Sequence, residues 1–207
     1  GWQFQKNQPT VQGKIMEACR EVFNTDNFEL YGAGRTDAGV HALFQVAHLD
    51  VKTMLAPHII RMKINDLLPA DICILEAEKV SSNFHARHDA VARSYVYHIA
   101  KRRSAFGKKL VWWIKDELDA RKMGQAAELF EGMNDFRSFG NDDPDEKSTK
   151  VKIDKCHIYE SETSILIHIV GSHFLWKMVR RMVGVLVEVG RGRITVDKVS
   201  LFLNKDS

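Results

Sequence analysis

"SILIHIVGSHFLWKMVRRMVGVLVEVG", residues 164 to 190, places a strand signal and a helix signal back to back. Ile165, Ile167 and Ile169 alternate with Leu166 and Val170, so both faces of an extended segment are apolar. Such a strand is expected in the middle of a sheet, covered on both sides. Over residues 174–189 the apolar positions run almost all round a helical turn, which predicts a buried helix. Working back, residues 151–159 form a second strand, which turns near 160–163 into the first. Residues 93–100 and 110–114 are strand-like. Asp119 caps a helix that carries Met123, Ala126, Ala127 and Phe130 on one face. Thr195 opens a last helix. A closing strand is expected after it, but the sequence ends at Ser207.

The first half follows the same order. Thr10 caps a helix with the stripe Val11, Ile15, Ala18, Cys19 and Val22. Strands are expected at 28–32, 42–51 and 72–80, with a helix at 56–68. With residues 1–5 as the remnant of an earlier strand, the order is β-α-β-β-α-β, a split β-α-β unit. The expected class is therefore α+β: two ferredoxin-like halves, 1–84 and 85–207, with joined sheets and a cleft between them. The seam falls near residues 81–91, and the polar loop at 140–150 is expected to be mobile.

Composition sets wide limits. The 207 residues are 44% hydrophobic and 28% charged, enough for one large domain or two small ones. Thirty basic against 27 acidic residues give a net charge of +3, which permits a nucleic-acid partner without arguing for one. Cys19, Cys73 and Cys156 lie far apart in apolar stretches, which predicts buried thiols in a reducing compartment. No apolar run reaches the roughly 18 residues of a membrane span, and no signal-peptide pattern opens the sequence. A cytoplasmic protein is expected. The first residue is Gly1 rather than Met, so the sequence need not begin where the gene does.

Three stretches carry candidate chemistry. "GAGRTDAGVH", residues 32–41, uses three of the 13 glycines around one arginine and one aspartate. A type I turn over residues 36–39 is one reading. A phosphate cradle is another, but no Gly-Lys-Ser/Thr follows and the segment opens a strand, not a helix. The third is a backbone that projects Arg35 and Asp37 in fixed relation and lets another chain come close.

"HARHDAVARSYVYHIAKRRS", residues 85–104, places Arg93, Tyr95, Tyr97 and Ile99 on one strand face. The tyrosines are either core residues with satisfied hydroxyls or platforms for a base. Arg87, Arg93, Lys101, Arg102, Arg103, Lys108 and Lys109 make this the most basic region, either a solvated face or a phosphate-binding one. His85 and His88 lack a third metal ligand nearby. In the third stretch, residues 171–192, Lys177, Arg180, Arg181 and Gly184 share one stripe of the apolar helix. A buried Arg180 needs a carboxylate, and Asp37 is the best-placed candidate. The alternative is that Arg180 snorkels to the surface or bonds a carbonyl.

Together these residues resemble the TruA family of tRNA pseudouridine synthases. The similarity runs from Gly1 to about Asn204. It rests on Gly1-Trp2-Gln3 with Thr10-Val11-Gln12, on "GRTDAGVHA" (34–42), on "FHAR" (84–87) with Arg93-x-Tyr95-x-Tyr97, and on "HFLWKMVRRMVGVLVEVG" (173–190). The resemblance implies that Asp37 is the catalytic aspartate, Tyr95 the active-site tyrosine and Arg180 the aspartate's partner. It implies that Arg35 holds a flipped nucleotide. Thr36, His41, Arg93, Lys177, Arg102 and Arg103 complete the expected RNA-contacting set. It further implies a homodimer acting on tRNA, with uridines 38 to 40 of the anticodon stem-loop as the expected targets. No cofactor or metal is expected, because the isomerisation is redox-neutral and the sequence holds no ligand cluster. His88-Asp89 replaces an aromatic and a small residue of the family, and Ser94 replaces a second arginine. The missing outer strands suggest a partial chain. The competing functions are a non-catalytic RNA-binding protein of the same fold and a metal- or nucleotide-dependent enzyme.

Overall fold

The computed structural model describes residues 1–140 and 148–203. Most of the loop expected to be mobile, and the last four residues, lie outside the described residues. The chain divides into two compact units, Gly1–Ala90 and Val91–Ser207. It is a mixed α+β protein with one sheet in each unit.

In the first unit, α1 (Val11–Phe23) starts where Thr10 Oγ1 accepts from the Gly13 N–H at 3.1 Å. It ends at Asn24, whose left-handed backbone closes the helix. β1 (Phe28–Gly32) and β2 (Ala47–Val51) pair antiparallel, with Leu30 opposite Leu49. α2 (Pro57–Leu67) begins with proline at its first turn, where no amide is needed. Trp2, Ile15, Ala18, Cys19, Leu30 and Ile64 form the core.

Two strands expected here are absent among the described residues. Residues 1–5 run alongside α1 and the 33–46 loop without a ladder: the Trp2 N–H donates to Thr36 O, and Trp2 O accepts from the Gln12 N–H. Residues 72–80 are extended, but helix side chains take the place of a neighbouring strand. Asn65 bonds both the N–H and the C=O of Ile74, and Arg61 donates to Leu75 O. β2 also starts at Ala47, five residues later than expected.

In the second unit, β3 (Arg93–Ala100), β4 (Trp112–Trp113), β5 (Gly132–Asp135), β6 (Lys150–Glu160) and β7 (Ser164–Gly171) form a five-stranded sheet ordered β4-β3-β7-β6-β5. β7 is central, as its sequence predicts. Only one of its faces is fully covered, however. Ile165, Ile167 and Ile169 are buried, whereas Leu166, His168 and Val170 are half-buried. Val96, opposite His168, is 60% exposed. The reason is that α3 (Ala120–Glu128) and α4 (Met178–Gly190) both contribute to the core on the isoleucine side. Asp119 caps α3 through the Lys122 N–H at 2.9 Å, and Met123, Ala126, Ala127 and Phe130 are all buried. α5 (Val196–Leu203) adds Val199. β5 has no clear alternation and was not expected from its sequence.

Candidate active site

The loop from β1 to β2 presents Arg35 and Asp37. Its base is fastened by the Ala33 N–H to Val46 O at 2.8 Å and by Gln45 Nε2 to Gly34 O at 3.0 Å. The Val40 N–H donates to Asp37 O at 3.2 Å, closing a turn over Asp37-Ala38-Gly39-Val40. Gly39 has φ +80°, the value that the third residue of a type II turn requires. The expected type I turn over 36–39 is thus shifted by one residue, which puts Asp37 at the first turn position. Arg35 and His41 are exposed; Thr36 and Asp37 are half-buried.

The glycines of this loop have separate reasons. A Cβ on Gly32 would lie 2.5 Å from the Trp2 indole, so glycine lets that ring pack on the strand. Gly39 supplies a backbone angle. A Cβ on Gly34 would meet nothing within 4 Å. The unit's own packing therefore does not require glycine at position 34.

The "FHAR" segment is tied to the same hairpin. The Ala86 N–H donates to His48 Nδ1 at 3.1 Å, and Ala86 is buried. His85 Nδ1 accepts from the Arg87 N–H at 3.2 Å, and its ring lies 4.2 Å from that of His88. These acceptor nitrogens fix the imidazoles as structural hydrogen-bond partners.

In the second unit, Arg93 Nη1 donates to Ser172 O at 2.7 Å, locking the start of β3 to the end of β7. Tyr95 is half-buried, with its ring edge-on to Phe174 at 5.2 Å. Phe174 lies in the third quoted stretch, where its sequence position gave no hint of this contact. Burial, and then the Arg93 guanidinium, pull the neighbouring His173 below the usual imidazole range.

α4 begins at Met178, four residues later than expected. Lys177 before it has φ +64°, and its ammonium lies 4.7 Å from the centre of the Trp176 ring. Arg180 is exposed, which corrects the expectation of a buried charge. Met178, Met182, Val183 and Leu186 take the covered side, leaving 177, 180 and 181 on the outer one. Arg181 donates to Gly140 O. Three cations thus gather at the N-terminal, positive end of the α4 dipole. At the other end, Arg191 bonds Asp116 and Glu188 at 2.6 Å each, and Arg193 reaches Glu188 at 3.3 Å. Those two arginines serve the fold.

Arg102 and Arg103 lie beyond β3 and are exposed, with Arg103 over Trp113 at 5.1 Å. Of the cysteines, Cys19 and Cys156 are buried as expected, but Cys73 is exposed on the ladder-free 72–80 segment. No group of three or more metal-ligating side chains occurs among the described residues. No helix among them is long and apolar enough to cross a membrane.

An aspartate on a glycine loop in the first unit, and a tyrosine strand and a helix that opens with cations in the second, are carried by a mixed α+β protein. Residues 2–89 and 126–207 match the family described as tRNA pseudouridine synthase. Relatives include tRNA pseudouridine synthase A of Maridesulfovibrio salexigens, 39% identical over all of this chain and 78% of its own length. The protein of that name from Nitrobacter hamburgensis is 40% identical over 97% of this chain and 82% of its own. That from Bacteroides thetaiotaomicron is 38% identical over 95% and 74%. The chain belongs to the tRNA pseudouridine synthase family. By that membership it is an isomerase.

Proposed function

We propose that the protein converts uridine to pseudouridine in tRNA, at positions 38 to 40 of the anticodon stem-loop. The observation that carries this reading is the placement of Asp37 at the first position of a glycine-closed turn, on a loop fastened at its base. The reaction breaks the bond between uracil N1 and C1′, turns the base and joins C5 to C1′; C5 loses its proton and N1 takes one up, so the net change is an isomerisation. Asp37 acts in its ionised form, either by attack on the nucleoside or by removing a sugar proton. Arg180 is its charge partner. Tyr95 stacks on the detached uracil and assists loss of the C5 proton. Arg35 and Thr36 hold the nucleotide after it leaves its stack. His41, Arg93, Lys177, Arg102 and Arg103 bind the RNA.

The isomerisation is redox-neutral and is assigned no cofactor. The finer architecture belongs to the same proposal: two ferredoxin-like halves joined around a basic RNA-binding cleft. The order β3-β7-β6 with intervening helices supports it for the second unit. A cytoplasmic homodimer completes the reading.

The test is Asp37→Asn, which is nearly isosteric. Mass spectrometry of cyanoethylated tRNA fragments should show no pseudouridine, with tRNA affinity close to that of the wild type. Tyr95→Phe separates stacking from proton transfer. Asp37→Asn protein, free of deamidation, that still makes pseudouridine at a comparable rate would refute the assignment.

A further inference from the structure

Between β3 and α3 the chain runs from Lys101 to Lys115 with six cations and no acidic residue. Residues 101–110 are all exposed. Apolar groups stand among the charges: Phe106 is 90% exposed, Leu110 58% and Trp113 40%. Trp112 is held edge-on against Tyr97 at 6.2 Å, which fixes the two-residue strand β4 at the sheet edge. Arg103 covers part of the Trp113 ring. Lys101 is engaged by Glu160 at 2.7 Å, whereas Arg102, Lys108 and Lys109 project from the loop.

Exposed aromatic rings set among cations, with no carboxylate between them, match a single-stranded nucleic acid, which offers base faces and phosphates in alternation. A second copy meeting this patch across a two-fold axis would set like charges against each other. Trp113 pairs opposite Ala100, five residues along β3 from Tyr95. At strand rise that separates the two positions by about 16 Å along the strand.

We propose that residues 101–115 extend the RNA contact already given to Arg102 and Arg103 into a second site, in which an unpaired nucleotide stacks on Trp113 while Lys108 and Lys109, together with Arg102, hold the flanking phosphates. This rests on the tRNA reading above and adds an anchor remote from the reacting uridine. Such an anchor sets affinity through stacking, a contribution separate from the salt-dependent phosphate contacts.

The test measures dissociation constants for an unmodified tRNA transcript over a salt series, together with quenching of indole fluorescence. Wild type, Trp113→Ala, Trp113→Phe and the double variant Arg102→Ala/Lys109→Ala are compared. Trp113→Ala should weaken binding about tenfold with the salt slope unchanged and much of the quenching gone. Trp113→Phe, which keeps a ring, should retain most of the affinity. The double variant should flatten the slope by about one unit for each phosphate that is no longer neutralised. Wild-type affinity in Trp113→Ala overturns the anchor. So does a Trp113-dependent change in oligomeric state or in binding to phosphatidylserine vesicles with tRNA affinity intact. Pseudouridine formation by the wild type is read in parallel. If it occurs while Trp113→Ala binds normally, only the anchor is wrong. If the wild type binds tRNA through Trp113 but forms none, the catalytic reading falls and the anchor stands. If the wild type neither binds nor reacts, both fall.

Discussion

The two units place their candidate residues on foundations of different strength. In the first, the Asp37 loop hangs from a two-stranded sheet over six buried apolar residues, and Ile15 and Leu30 are only just covered. In the second, β3 and α4 rest on a five-stranded sheet whose core includes Ile99, Ile165, Ile167, Ile169, Met182 and Leu186, all fully buried. A small core tolerates local opening, and loops that bind or carry chemistry are drawn from the less stable end of a structure. The contrast assigns adaptability to the aspartate's unit and rigidity to the unit that carries Tyr95 and Arg180.

The largest effect that probes this contrast is loss of core volume. Ile167→Ala removes a fully buried side chain from the middle of β7 and should cost about 4 kcal/mol. Ile15→Ala, at 7% exposure in α1, should cost about 2 kcal/mol. Urea unfolding combined with amide exchange would report each loss in its own unit. Equal losses would remove the proposed difference.

A smaller effect separates the glycines. Gly32→Ala must displace Trp2 and should destabilise the first unit by about 1–3 kcal/mol. Gly34→Ala enters open space, so the melting temperature should hold while tRNA binding weakens. A Gly34→Ala protein with unchanged affinity would mean that no RNA backbone comes close at this position.

The smallest effect needs no substitution. Burial pushes the Cys19 thiol up to about 11 and the Cys156 thiol up to about 12, so neither is a thiolate at neutral pH. Cys73 is exposed. An aromatic disulfide reagent should modify Cys73 at once, Cys19 slowly and Cys156 last, in the order in which the units open. Cys156 reacting before Cys19 would reverse the ranking.

Much of the second unit was legible because its signals are local. Asp119 caps a helix with its own side chain, as Thr10 does in the first unit, and the short apolar, isoleucine-rich run of residues 164–170 states a strand without reference to any neighbour. The family motif around Asp37 was equally plain, since it is a run of consecutive residues. Strands at 1–5 and 72–80 failed as expectations because a strand is defined by its partner. Here Asn65 and Arg61 bond the backbone of the second segment from a helix. β5, with no alternation of its own, is defined by pairing with β6.

By itself, then, the sequence determined the capped starts of α1 and α3, the central position of β7, the α+β class and the family to which the chain belongs. Only the tertiary structure decided which side of each element faces solvent. Periodicity names a stripe but not the partner that covers it, so α4 could not reveal that Arg180 lies outside while Met182 lies inside. The same holds for Trp113, apolar in composition yet left exposed beside Arg103 because β4 is the edge of its sheet. Exposure depends on residues distant in the chain, and one-dimensional order does not record which of them arrive.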